Sequence, residues 1–145
     1  MDAIQYLRQE HAAFREALAA ISKMSNETMT LKKFKAFTAD LSKHETMEQK
    51  IWYPVLRKNP EMKELIQHLV DEEKAASRAI KKLLDSSYGI IWRLRFYKFK
   101  HDVDHHAKTE EKELFPLARK HLSKQELMAL GKKMQAYKAS LKKES

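Results

Sequence analysis

The residues best suited to chemistry in this sequence are two pairs, His44 with Glu48 and His106 with Glu110, each spaced as His-x3-Glu. In a helix, positions i and i+4 stand one above the other on a single face, so each pair presents an imidazole and a carboxylate side by side. Both pairs sit on stripes that are otherwise apolar, with Leu41 before the first and Val103 before the second. A carboxylate buried there without a partner would cost several kcal/mol. Two such segments on facing helices would bring anionic oxygens and neutral nitrogens into one dry volume. A pair of cations would neutralise that charge and engage those lone pairs, with carboxylates bridging and imidazoles terminal as in di-iron bundles. Oxygen combined with imidazole suits iron or manganese, and zinc less distinctively.

Other histidines and carboxylates compete for the same role. His11 completes the stripe Ile4, Leu7, Phe14, Leu18 and Ile21. Taken alone, it fits a hydrogen-bonded core histidine as well as a third imidazole ligand. His68 and Glu72 form another His-x3-Glu pair. At about 100° per residue, however, the centre of that stripe passes near Leu69, Glu73 and Ile80, and His68 points roughly 90° or more away. Depth agrees, because an antiparallel helix reaches the level of His44 and Glu48 about ten residues in. Glu73 is therefore the expected ligand from this helix, with Glu72 and His68 the alternatives and His68 placed toward solvent. His101 and His105 lie on a different face from His106, where a polar surface and a weaker second metal site are the two readings.

The elements that must hold these residues are helices. The chain has 145 residues with only 2 glycines and 3 prolines. It is dominated by Leu, Ala, Lys, Glu, Met and Gln, all strong helix formers. Apolar residues recur at three- and four-residue steps in five segments. The second runs Leu31, Phe34, Phe37, Leu41, His44, Glu48, Ile51 and Val55, with Thr30 as its expected N-cap. The third spans Ile66 to Leu84, and the fourth runs Trp92, Phe96, Phe99, Val103, His106, Glu110, Leu114 and Leu117. Ser123 caps a shorter fifth helix carrying Leu127, Leu130, Met134 and Tyr137, and the tail 142–145 is expected to fray. Breaks fall at Ser25-Asn26-Glu27, Asn59-Pro60 and Ser86 to Gly89. The expected fold is all-α: an antiparallel up-down-up-down four-helix bundle with a short fifth C-terminal helix, forming one domain over residues 1–145.

The two halves repeat at an ungapped offset of 62 residues. His44, Glu48 and Pro54 become His106, Glu110 and Pro116, while Phe37 matches Phe99 and Tyr53 matches Phe115. In the first helices Ile4 matches Ile66, Leu7 matches Leu69, and His11 falls on Glu73. Shared apolar register is common between helices, but sharing His-x3-Glu-x5-Pro on the buried face is not. The repeat implies two helix hairpins about an approximate two-fold axis, each contributing half of one central site.

Composition narrows the function classes. With no cysteine, disulfides, iron–sulfur clusters and thiolate zinc sites are excluded. The net charge of +9 is scattered along the helices, and its densest cluster, Arg93, Arg95, Lys98 and Lys100, is short. A solvated basic face is expected rather than a nucleic-acid partner. No signal-like opening and no apolar run of membrane-spanning length occurs, so a soluble cytoplasmic protein is expected.

His11, His44-x3-Glu48 before Trp52-Tyr53-Pro54, and His106-x3-Glu110-Glu111 before Leu114-Phe115-Pro116 resemble the hemerythrin-like (HHE) cation-binding family over nearly the whole chain. The resemblance implies two iron ions, oxo- or hydroxo-bridged. His11 and His44 would hold one, His106 part of the other, with Glu48 and Glu110 bridging. The family usually carries Glu-His on the third helix, where this chain reads Glu72-Glu73. A carboxylate in place of an imidazole makes the irons inequivalent, favours the ferric state and argues against simple reversible oxygen carriage. The implied function is a non-haem di-iron protein that binds or reacts with O2, peroxide or nitric oxide, in sensing or in oxidative or nitrosative stress protection. A catalase-like activity is compatible with this ligand set. Iron storage, delivery or iron-centre repair is the alternative, and a metal-stabilised interaction module is a third.

Overall fold

Side-chain caps define where the helices begin. Asp2 accepts from the backbone N–H of Gln5 while the Gln5 side chain accepts from Asp2, opening α1 (Ala3–Lys23). The next helix, α2 (Glu27–Met47), starts a turn earlier than its expected Thr30 cap. Asn26 Oδ1 accepts from the Met29 N–H at 2.9 Å, and the Thr30 hydroxyl donates to the Asn26 carbonyl instead. Asn59 caps α4 (Pro60–Asp85), where Pro60 occupies a first-turn position whose missing N–H costs nothing. The computed structural model describes residues 1–144, with side chains through residue 141. The tail at 142–145, expected to fray, lies outside the described side chains.

Two helices carry matching π-helical turns. After α2 the chain passes through Glu48–Trp52 into α3 (Tyr53–Leu56); after α5 (Ile90–Thr109) it passes through Glu110–Leu114 into α6 (Phe115–His121). Tyr53 N–H reaches back to the Glu48 carbonyl, and Phe115 N–H to that of Glu110. The proline that follows each turn has no N–H and would clash with a carbonyl four residues back in a tight helix, and the wide turn relieves both conflicts. Its consequence is a one-residue rotation of the buried face. The expected stripe continued to Ile51 and Val55, yet those are half-buried, while Trp52, Tyr53 and Leu56 are fully buried. The same shift buries Ala118 in place of Leu117. At the end of α4, Leu83 is buried while Leu84 is 50% exposed.

The helices form an all-α bundle in which α1 packs on α2 and α5, and α4 packs on α2 and α5. Two apolar cores fill it. One gathers Ile4, Leu7, Met47, Trp52, Leu69 and Phe115; the other gathers Phe14, Leu18, Phe34, Phe37, Trp92 and Phe99. His11, His44, Glu73 and Glu110 fall along their helices between these two sets, so the polar residues make a layer separating the cores. Arg93 leaves the basic cluster to donate to the Ser22 and Met24 carbonyls at the end of α1. No helix among the described residues is long and apolar enough to cross a membrane.

The closing helix, α7 (Lys124–Glu144), lies against α1. At Gly131 an added Cβ would meet backbone atoms of Met1, Asp2 and Ala3 at 2.5–2.9 Å. Backbone cannot rotate away as a side chain can. Gly131→Ala is therefore expected to destabilise the protein by about 1–3 kcal/mol, the range for overpacking. A wild-type denaturant midpoint for this variant would show that α7 is not seated so closely.

Candidate metal centre

His11 comes from α1, His44 from α2 and His106 from α5, while Glu48 and Glu110 open the two π turns and Glu73 comes from α4. All are buried except His106, which is 14% exposed at its side chain. His44 Nε2 lies 3.2 Å from Glu48 Oε1. His106 Nε2 lies 3.2 Å from Glu73 Oε2 and 3.3 Å from Glu110 Oε1, and His11 Nε2 is 3.5 Å from that same Glu110 oxygen. Two sets of donor atoms gather within 4.8 Å: His11, His44 and Glu110, and Glu48, His106 and Glu110. Glu110 belongs to both. His68 is 62% exposed and stands outside, 3.4 Å from Glu72; His101 and His105 stack on each other on an exposed face.

An outer ring of glutamates orients the imidazoles. Each accepts a hydrogen bond from a histidine Nδ1: Glu10 from His44 at 2.7 Å, Glu111 from His11 at 2.8 Å and Glu72 from His106 at 3.0 Å. A carboxylate can only accept, so Nδ1 carries the hydrogen and each Nε2 lone pair is turned toward the centre, as in carboxylate–histidine–metal triads. These glutamates are anchored in turn. Arg15 grips Glu111 with two nitrogens at 3.0 and 3.1 Å, and Lys138 of α7 holds Glu10 at 2.9 Å. The closing helix thereby reaches the centre through Glu10 and His44.

The asymmetry at Glu73 is matched by its neighbours. The Gln49 amide donates to Glu73 Oε1 at 2.8 Å, and the Tyr53 hydroxyl donates to Glu73 Oε2 at 3.0 Å. In the repeat, Gln49 corresponds to Glu111, Tyr53 to Phe115 and Glu73 to His11. Where the inner residue is a histidine its partner is an acceptor, and where it is a carboxylate its partner is a donor. Phe115, at the position of Tyr53, stacks on the His11 ring instead, with centroids 6.0 Å apart. Tyr53→Phe should strip one donor from Glu73 and lower the stability of the metal-free protein by about 1 kcal/mol. Urea unfolding under chelator would measure it, and an unchanged midpoint would deny the phenol this role.

Electrostatics show what this cluster lacks. Burial pushes the Glu48 carboxyl well above the ordinary carboxylate range, helped by the Glu110 and Glu73 charges. Burial acts on Glu110 likewise, but the adjacent Glu48 carboxyl and the His106 and His11 imidazoles hold it well below. Burial, with Glu110 and Glu48 nearby, also pushes the Tyr53 phenol up. Like-charged carboxylates this close cannot all ionise without a cation. The unpaired atoms point the same way. Glu48 Oε1 and Oε2, Glu110 Oε1 and His106 Nε2 are buried with no hydrogen-bond partner, the other such side-chain atom among the described residues being Trp52 Nε1. His106 Nε2 is near two carboxylates yet wrongly angled to bond either. Oxygen and imidazole donors converging with free lone pairs fit hard or borderline cations.

Sequence reasoning named the inner six residues but not the ring around them. Glu10, Gln49, Glu111 and the roles of Glu72 and Tyr53 went unread, although the repeat carried the signal. The Glu10–His44 and Glu72–His106 contacts both span 34 residues. A further buried carboxyl, Glu45, was also missed; burial, then the Glu73 charge, pushes it up to about 9.

The sequence matches no curated protein. A crystal structure of a hemerythrin HHE cation binding domain-containing protein from Mycobacterium kansasii superposes with a TM-score of 0.85 at 23% identity, covering 97% of this chain and 89% of the other. At that identity the likeness establishes the fold. The family description "Hemerythrin HHE cation binding domain" matches residues 2–118, and the chain belongs to this family of metal-binding helical domains.

Proposed function

We propose that this chain is a di-iron protein that binds or reacts with O2, peroxide or nitric oxide in sensing or in oxidative or nitrosative stress protection. The observation that carries the reading is the converged donor set, three imidazoles with Glu48 and Glu110 and with Glu73 beside His106, four of whose buried atoms have no partner among the described residues. His11 and His44 would hold one ion, His106 and Glu73 the other, and Glu48 and Glu110 both. Two bound irons would supply redox chemistry and open positions for a small ligand. Around them, Glu10, Glu72 and Glu111 fix the ring orientations. Phe14 and Phe115 pack on His44 and His11 and exclude water on those sides. Tyr53 offers its proton between Glu73 and Glu110, 3.0 and 3.3 Å away.

Metal analysis of the purified protein is the test. About two irons per chain are expected, as in di-iron carboxylate bundles, with visible absorption that changes when an anaerobic reduced sample meets O2, peroxide or nitric oxide. Failure to take up iron, or loading with zinc alone, would reduce the centre to a structural one.

A further inference from the structure

We propose that a cavity beside His106 is the chamber through which a small uncharged ligand reaches the metal centre. The proposal rests on the di-iron reading and says which side of the centre is open. On the first half, Phe14 sets its ring edge-on to His44 with centroids 5.0 Å apart, and edge-on to Phe37 at 5.6 Å. The residue 62 positions later is Ala76. Ala76 lines a cavity of about 350 Å³ together with Phe99 and His106, the counterparts of Phe37 and His44. Exposure follows the packing: the His44 side chain is 3% exposed and that of His106 14%.

A second departure from the repeat falls on the same wall. Glu45 lines this cavity although it is only 8% exposed, and its counterpart in the other half is Ala107. No hydrogen bond or ion pair joins the Glu45 carboxyl to any other described residue, so its polar end is left for whatever occupies the cavity. The first half of the repeat thus carries Phe14 and Glu45, and the second carries an alanine at both positions. The loss of dispersion contacts across such a space falls at the histidine whose neighbour is Glu73.

Size and charge select the occupant. At roughly 30 Å³ for each water, the cavity exceeds any diatomic many times over and serves as a chamber rather than a fitted pocket. Its acidic lining includes Glu72 and Asp102, and its Lys98 is tied to Asp102 at 2.9 Å. Such walls repel anions and admit neutral molecules, so O2, nitric oxide or hydrogen peroxide would pass and azide or nitrite would be disfavoured.

Two measurements test this, one independent of iron. In the metal-free protein, xenon under pressure should occupy the space between Ala76 and Phe99, seen by crystallography or by xenon NMR, and Ala76→Phe should abolish it. In the iron-loaded protein, Ala76→Phe should keep the wild-type iron content while slowing nitric oxide association in stopped flow by at least about tenfold, within the decades over which related association rates vary. Ala79→Leu narrows the same chamber and replaces Ala76→Phe if that variant fails to fold. Xenon absent from this space, or an iron-replete variant associating at the wild-type rate, overturns the proposal. Failure to load iron overturns the di-iron reading instead, and the xenon result then decides alone whether the chamber is open.

Discussion

Glu110→Gln is expected to strip the centre of both metals at once. Glu110 is the one residue common to both converged donor sets, with a single oxygen 3.5 Å from His11 and 3.3 Å from His106. Outer-ring partners of a metal ligand are worth about 10–100-fold in affinity, so losing this inner carboxylate should weaken both metals by at least about 100-fold. Glu73→Gln, whose neighbour among the imidazoles is His106 alone, should deplete one metal preferentially. The two variants together therefore read out which carboxylate is shared. Folding provides the control. In the metal-free state Glu110→Gln removes the charge paired with His106 and His11, so the variant should be less stable under chelator than the metal-free wild type, and metal content is compared on protein shown by circular dichroism to be folded. Retention of both metals by Glu110→Gln, measured by metal analysis, would defeat the assignment.

Metal removal should also reverse the dependence of stability on pH. Burial alone would depress His106, but the close Glu110, Glu72 and Glu73 carboxylates outweigh it and hold the imidazole well above its ordinary value; Glu110 and Glu111 do the same for His11. A raised histidine contributes fully below its unfolded value of about 6.5 and loses that contribution as pH rises through its folded value. The raised carboxyls act in the same direction. Native Glu48 and Glu45 retain protons that the unfolded chain releases above about 4.3, so stability falls with rising pH, for Glu45 until about 9. The depressed carboxylates oppose this only in acid. Glu111, held near about 2 by His11 and Arg15 against the upward pull of burial, contributes above the unfolded range and loses that contribution as pH falls through the folded value. The lowered Glu10, Glu72 and Glu110 behave likewise. Metal-free protein should thus be most stable between about pH 4.5 and 6.5 and weaken toward pH 9.

Cations take the place of those protons. Metal uptake should release protons, and the gain in stability from metal should grow as pH rises. With free metal at about 1,000 times its Kd the gain is about 4 kcal/mol, or about 8–16 °C in Tm for a chain of this size. Thermal melts from pH 5 to 9, with and without chelator, would check both signs. A metal-free Tm that climbs between pH 6 and 8 would show that these groups do not hold their protons in the native state.

Residue type and helical period by themselves determined much of this protein. The stripes, the 62-residue repeat and the two His-x3-Glu segments identified the bundle and the six inner residues, because period and register are properties of a helix alone. Even the choice of Glu73 over His68 followed from azimuth and depth, and Glu73 is the one that lies buried beside His106. Tertiary structure decided what lies between helices. The π turns rotated the buried face from Ile51 and Val55 to Trp52 and Leu56, and that rotation brings Tyr53 over Glu73. Glu10, Glu72 and Glu111 look like surface carboxylates in sequence, and only the neighbouring helix supplies the Nδ1 each one accepts from. The cavity beside His106 was equally hidden. Ala76 reads as an ordinary core alanine until packing shows what stands opposite it. A period constrains where a side chain points, but its partner is set by the rotation of another helix, which local sequence does not encode.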